Sequence, residues 1–332
     1  MATAMGSLRS FLMAPSLRDV SFAGRGFPVT ETAATRQLES IPQAVVAGFE
    51  WGVGSRDLWE IERRLALVDP QVRGFAYEGA TMASVIRDAM PGRGGRTREL
   101  LQGAGRRHIF LNYIGIGFAM ARLPRVLWKK VVPGDLVGEE FYPPMSWLAV
   151  DGYGFDRAYF DPVRRVQEQR RETPYAWEGD ADYFRRAVDQ GVGRALWFIH
   201  GARVGQVSSA VRAFASEREP DLWAGVGLAA TFAGCSTAAE LGVLRAEAGE
   251  LWGHVAQGAV FAAKARHFSG TVPEHTRTAL HALAGISVEA AAALADAAAP
   301  VSGGAGGVPT YELWRRAVRE RLLPHTRQAF LE

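Results

Sequence analysis

Apolar residues recur along most of the chain at helical spacing. Leu58, Ile61, Leu65 and Val68 form one such stripe, and Val207, Val211 and Phe214 another after Gly205. Residues with capping chemistry stand where the stripes begin. Ser55 and Asp57 precede LWEIERRLALV, and Thr237 and Glu240 have capping-box spacing ahead of Leu241 and Leu244. Thr271 with Pro273 starts a further helix that Gly285 can end. Ser287 then caps an Ala-rich helix that Pro300 follows, and Thr310 opens a last amphipathic helix through YELWRRAVRERLL. Alternating patterns of strand length are scarce, so the predicted class is all-α. The predicted order is an irregular segment over 1–35, one helical domain over 36–300, a flexible Gly-rich linker over 301–309 and a C-terminal amphipathic helix over 310–332.

Glycines interrupt this pattern regularly. GFAYEGATMAS, LAVDGYGFDRAYF, AVDQGVGRALWF and HVAQGAVFAAKAR each place an acid or amide before a glycine, with apolar and aromatic residues after it. A second text, NYIGIGFAMARL and LWAGVGLAATFAG, alternates with the first. The marker glycines Gly79, Gly115, Gly152, Gly191, Gly225 and Gly258 are 36, 37, 39, 34 and 33 residues apart. A period near 35 suits two helices and their turns, which predicts an internally duplicated helical repeat, α-solenoid or α/α-toroid-like, with halves at 70–165 and 183–270. Glycine in a helix costs about 1 kcal/mol against alanine. Close helix crossings would compensate for that cost, as would close approach of a ligand. GIGFAM and GVGLAA lack the third glycine of a dinucleotide fingerprint.

Composition narrows the classes. Net charge is +3 over 332 residues, and lysine occurs only at Lys129, Lys130 and Lys264. The arginine run RRVQEQRRE alternates with Glu and Gln and reads as a solvated helix face, and no nucleic-acid motif accompanies it. The lone Cys235 reads as a small buried hydrophobe in a reducing compartment. The N-terminus has no sustained signal-peptide core, and the uncharged stretch 222–239 reads as a core helix that stops at a cap. Expected, therefore, are a cytoplasmic protein, no stable membrane insertion and no nucleic-acid partner.

Candidate chemistry lies beside the marker glycines. Glu78, Asp151, Gln190 and Gln257 occupy related places, and ionisable groups in apolar helices need partners or a functional reason. They either tie helices together or face one cavity. In the cavity reading Glu78, Asp151 and Arg194 are catalytic: Arg194 keeps one carboxylate ionised while the other stays protonated, giving a base and an acid. Gln190, Gln257, Trp197, Trp223 and His254 are the substrate-binding candidates. Arg194 should be paired, for example with Asp151 or Asp189. Glu217, Arg218, Asp221 and Trp223 form either an inter-helix salt-bridge corner or an anion-binding edge. The seven histidines fall in no metal-ligand spacing, so no metal is assigned. The cofactor is unknown.

In combination, RGFAYEGATMA, YIGIGFAMARLP, LAVDGYGF, DQGVGRALWF, REPDLWAGVGLAATFAG, QGAVFAAKAR and YELWRRAVRE resemble the UnbL-type family of actinobacterial proteins, which accompany the iterative polyketide synthase of enediyne gene cassettes. The resemblance covers residues 24–323. It implies an accessory role in enediyne biosynthesis, acting on or binding a linear conjugated polyene on the way to the enediyne core. The alternative is a non-catalytic binding, shielding or scaffolding protein. Other cassette proteins are the implied partners. One position departs: Asp156 stands where a histidine is expected, so no histidine-dependent chemistry carries over there.

Overall fold

The computed structural model describes residues 16–91, 94–136, 144–300 and 307–328. Among them every regular element is helical, and the one β-type feature is an isolated bridge between Trp177 and Asp180. The all-α expectation therefore holds. After two four-residue turns, Leu17–Val20 and Phe22–Arg25, come α1 (Ala33–Gly54), α2 (Leu58–Ala66), α3 (Pro70–Ala89), α4 (Arg96–Gln102), α5 (Ile109–Met120) and α6 (Trp147–Phe160). They are followed by α7 (Ala181–Ile199), α8 (Val204–Arg212), α9 (Glu219–Ala233), α10 (Ala238–Ala248), α11 (Trp252–Ser269), α12 (Glu274–Ala284), α13 (Val288–Ala297) and α14 (Thr310–Gln328).

The local signals operate as expected. Asp57 caps α2 through the Glu60 amide at 2.9 Å, Thr237 and Glu240 close a reciprocal capping box on α10, and Ser287 caps α13. Gly285 ends α12 in the left-handed region at φ 70°. Other expectations need correction. Residues 17–25 are helical turns capped by Ser16 and Ser21, not irregular chain. The arginine run begins in a single π-helical turn, Val163–Gln167, and continues outside any helix; Gln169 takes φ 54° and Arg165 pairs with Glu172 at 2.7 Å. Residues 1–15, 329–332 and most of the expected linker (301–306) lie outside the described residues.

The chain groups into two compact units. The first comprises residues 1–27 and 39–153, the second 28–38 and 154–332. The division after Tyr153 falls inside the first expected half, 70–165.

Each unit is built on one recurring crossing. In the first, a Cβ added to Gly48 would stand 1.9 Å from the Ala76 carbonyl oxygen, and one on Gly79 1.9 Å from that of Val45. Gly117 and Gly152 repeat the exchange between α5 and α6, at 2.1 Å from Ala149 and 2.3 Å from Ile114. In the second unit Gly193 and Gly225 join α7 to α9 through the carbonyls of Leu222 and Gln190, and Gly227 and Gly258 join α9 to α11 through those of Val255 and Ala224. In all four exchanges the carbonyl lies three residues before its own helix's glycine: Val45 and Gly48, Ala76 and Gly79, Ile114 and Gly117, Ala149 and Gly152, Gln190 and Gly193, Leu222 and Gly225, Ala224 and Gly227, Val255 and Gly258. Glycine is required because only a Cα hydrogen fits against the carbonyl, a contact that adds a weak C–H···O attraction.

Candidate functional site

The expected site residues divide between the units. Glu78 and Asp151 are buried in the first, at 2% and 1% exposure. The Glu78 backbone has a packing role of its own, since its carbonyl receives Gly115 of α5. The other six lie in the second unit. Arg194 is buried with its guanidinium 5.1 Å from the Phe155 ring centre. Asp189 does not serve as its partner: both Asp189 oxygens accept from Arg218, at 2.5 and 3.0 Å. Burial outweighs Arg218 and raises the Asp189 carboxyl above its ordinary value. Trp197 is fully buried and donates its indole N–H to the Gly234 carbonyl at 3.0 Å, and Trp223 is buried core.

Gln190, Gln257 and His254 belong to a denser constellation in the second unit. Four helices converge on Arg315, which is 0% exposed. Asp180 caps α7 and sets its register; Tyr183, Arg186 and Gln190 then share one face at i, i+3 and i+7. Asp221 comes from the first turn of α9, His254 and Gln257 are one turn apart on α11, and Tyr311, Glu312, Arg315 and Arg319 come from α14. Arg315 Nε donates to Gln257 Oε1 at 3.1 Å. Its Nη1 is shared among Asp221 at 2.7 Å, the Tyr183 hydroxyl at 3.1 Å and Glu312 at 3.2 Å. Tyr183 donates in turn to Glu312 at 3.1 Å, and Arg186 forks onto Asp221 at 2.9 and 3.2 Å. Gln190 donates to the Tyr311 hydroxyl at 3.0 Å.

The charges in this network are fixed. Burial alone would raise the Glu312 carboxyl, but Arg315 and Arg186 outweigh it and hold it at about 2. Burial, reinforced by Arg319 and Arg315, lowers the His254 imidazole to about 3. Burial raises the Tyr183 phenol well above its ordinary value. The salt-bridge reading of the 217–223 segment thus describes what forms there: Arg218 with Asp189, Asp221 with Arg186 and Arg315, and Glu217 with Arg171.

Sequence reasoning missed Tyr183, Arg186, Tyr311, Glu312 and Arg315. A signal was present for the last: Tyr311, Arg315, Val318 and Leu322 stand at i, i+4, i+7 and i+11, so Arg315 shares the buried stripe of α14. Among the described residues no group of three or more His, Cys, Asp or Glu could hold a metal ion, and no single helix is long and apolar enough to cross a membrane. No curated protein and no solved structure matches the chain. A family model described as a protein of unknown function, DUF1702, matches residues 4–322. With nearly its whole length inside that match, the chain belongs to the DUF1702 family.

Proposed function

We propose that this is a cytoplasmic accessory protein of enediyne-type polyketide biosynthesis that binds a linear conjugated polyene intermediate and works beside other proteins of the pathway. The motif resemblance over residues 24–323 supports the pathway. The observation that carries binding, rather than bond-making, is the fixed charge of the Arg315 network. Glu312 at about 2, His254 at about 3 and a Tyr183 phenol well above its ordinary value all titrate far from neutrality. A general acid or base works best with a pKa near the operating pH. Groups set this far away keep one charge state near neutrality, which suits fixing a ligand's polar end better than passing protons to it. One observation favours a catalytic reading: Glu78 and Asp151 of the first unit are almost wholly buried carboxylates.

Complementation of a producing strain that lacks the gene separates the two. Glu78→Gln and Asp151→Asn preserve shape and remove charge. The binding reading expects both variants to restore product formation in full, and native mass spectrometry of freshly purified protein to find a retained conjugated ligand. A variant that folds normally yet restores nothing would replace binding with catalysis. A deletion that leaves polyketide output unchanged would remove the pathway assignment.

A further inference from the structure

The Arg315 cluster holds more cation than anion. Among the described residues, Arg186, Arg315, Arg316 and Arg319 are paired with only two carboxylates, Asp221 and Glu312. Arg315 Nε and Nη1 are engaged, but Nη2, buried with the rest of the side chain, has no hydrogen-bond partner among the described residues. A guanidinium N–H group without an acceptor, shut away from water, forgoes one of the stronger polar contacts available to a protein. A second such atom is Nδ1 of His254. It lies one turn before Gln257, the residue that accepts from both Arg315 and Arg319. A neutral imidazole protonated at Nδ1 offers a donor there. Alongside, the buried rings of Phe261, Trp314 and Tyr311 pack on one another, with the Phe261 centre 4.7 Å from that of Trp314 and 5.9 Å from that of Tyr311.

We infer that this cluster is an anion site for the carboxylate of a small-molecule ligand, which accepts from Arg315 Nη2 and His254 Nδ1 and is flanked by Arg319. The inference deepens the binding reading above and rests on it: it names the polar end by which an apolar chain is held. The two N–H groups of Arg315 Nη2, the one on His254 Nδ1 and the adjacent surplus charge suit a carboxylate. Arg319 is the member best able to shift on entry while staying beside the carboxylate. Its side chain is 18% exposed, and its contacts to Gln257 and Glu312, at 3.4 and 3.3 Å, are among the longest in the cluster.

Fluorescence titration of the full-length protein with trans-parinarate, a conjugated tetraene acid, tests this against the methyl ester of the same chain and against inorganic phosphate. The acid should bind at least tenfold more tightly than the ester. Arg319→Gln and His254→Ala, both at partly exposed positions, should each erase most of that preference. Arg315→Gln should erase it fully where the variant folds. Equal affinities for acid and ester, or a preference unmoved in Arg319→Gln and His254→Ala, would overturn the carboxylate site and leave the binding reading standing. Phosphate that binds alone and displaces the acid would assign the site to phosphate and overturn the carboxylate. Failure of acid and ester alike would overturn the binding reading itself.

Discussion

At the scale of single residues, the glycines of the helix crossings are tightly constrained by neighbouring backbone. A methyl group on Gly225 would stand 1.9 Å from the Gln190 carbonyl oxygen and 2.8 Å from the Arg194 nitrogen, all backbone, so relief requires α7 and α9 to part. Gly225→Ala should therefore cost about 3 kcal/mol or more, lowering Tm by roughly 5–10 °C. Gly242 on α10 provides the opposite case. Nothing lies within 4 Å of its added Cβ, so Gly242→Ala should raise stability by about 0.5–1 kcal/mol through helix propensity alone. Paired melting curves check both signs, and two variants shifting together would separate the crossings from stability. These glycines were visible in the sequence as helix interruptions with a compensating reason. Their rule was not. IGIG, DGYG and AGVG look like two alternating texts, yet one geometry covers them: the first glycine meets the preceding helix of the crossing series, the second the following one. Thus Gly115 meets the Glu78 carbonyl and Gly117 that of Ala149, while Gly225 meets that of Gln190 and Gly227 that of Val255.

At the scale of elements, α14 is fastened by charge as well as by apolar surface. Trp314 packs on Phe261 and donates its indole N–H to the Ala295 carbonyl at 2.7 Å, while Glu312 and Arg315 enter the interior. Buried ion pairs cost much desolvation, and removing one partner leaves the other charge uncompensated. Arg315→Met should destabilise by about 3–5 kcal/mol in urea unfolding. Arg316→Ala, at the neighbouring position with a side chain 49% exposed, should cost under about 1 kcal/mol. Similar losses for the two would show that burial does not decide the matter. In the text YELWRRAVRE the two arginines are chemically alike, and only their angular place on the helix separates them. The element was therefore legible and its chemistry was not. The caps at Asp57, Thr237 and Ser287 were legible for the opposite reason: capping is local, with donor and acceptor within three residues. The Arg315 network joins positions up to 132 residues apart, a separation that no short window of sequence spans.

At the scale of the whole molecule, the shifted groups predict how stability responds to acid. His254 is held at about 3 against an ordinary 6.5, and Glu312 at about 2 against 4.5. For each, the unfolded chain takes up a proton at a pH where the folded chain does not. Stability is thus complete above the unfolded value and declines on acidification, from pH 6.5 towards 3 for His254 and from 4.5 towards 2 for Glu312. Each group adds a slope of at most about 1.4 kcal/mol per pH unit inside its window. His200 and His275, also lowered by burial, add to the upper window, and Asp189, raised by burial, opposes the trend in the carboxylate range. Tm should be level between pH 7 and 8, fall below about 6.5, and fall less steeply in His254→Gln between 6.5 and 4.5. Equal slopes in that interval would mean that His254 is not held neutral. Organisation at this scale was the least legible. The Gly-rich stretch near 301–309 suggests a boundary, whereas the compact units divide after Tyr153, within α6, where no change in composition marks it.

The helix crossings have a consequence at the level of the genetic code. Every glycine codon is GGN, and every missense change from glycine, by any base, installs a Cβ. At Gly48, Gly79, Gly117, Gly152, Gly193, Gly225, Gly227 and Gly258 that atom would fall within 2.3 Å of a backbone oxygen. These codons consequently have no conservative neighbour: the only silent route is the third base. In a saturation library selected for folded protein, they should stand out as positions where synonymous variants survive and all nineteen replacements are lost.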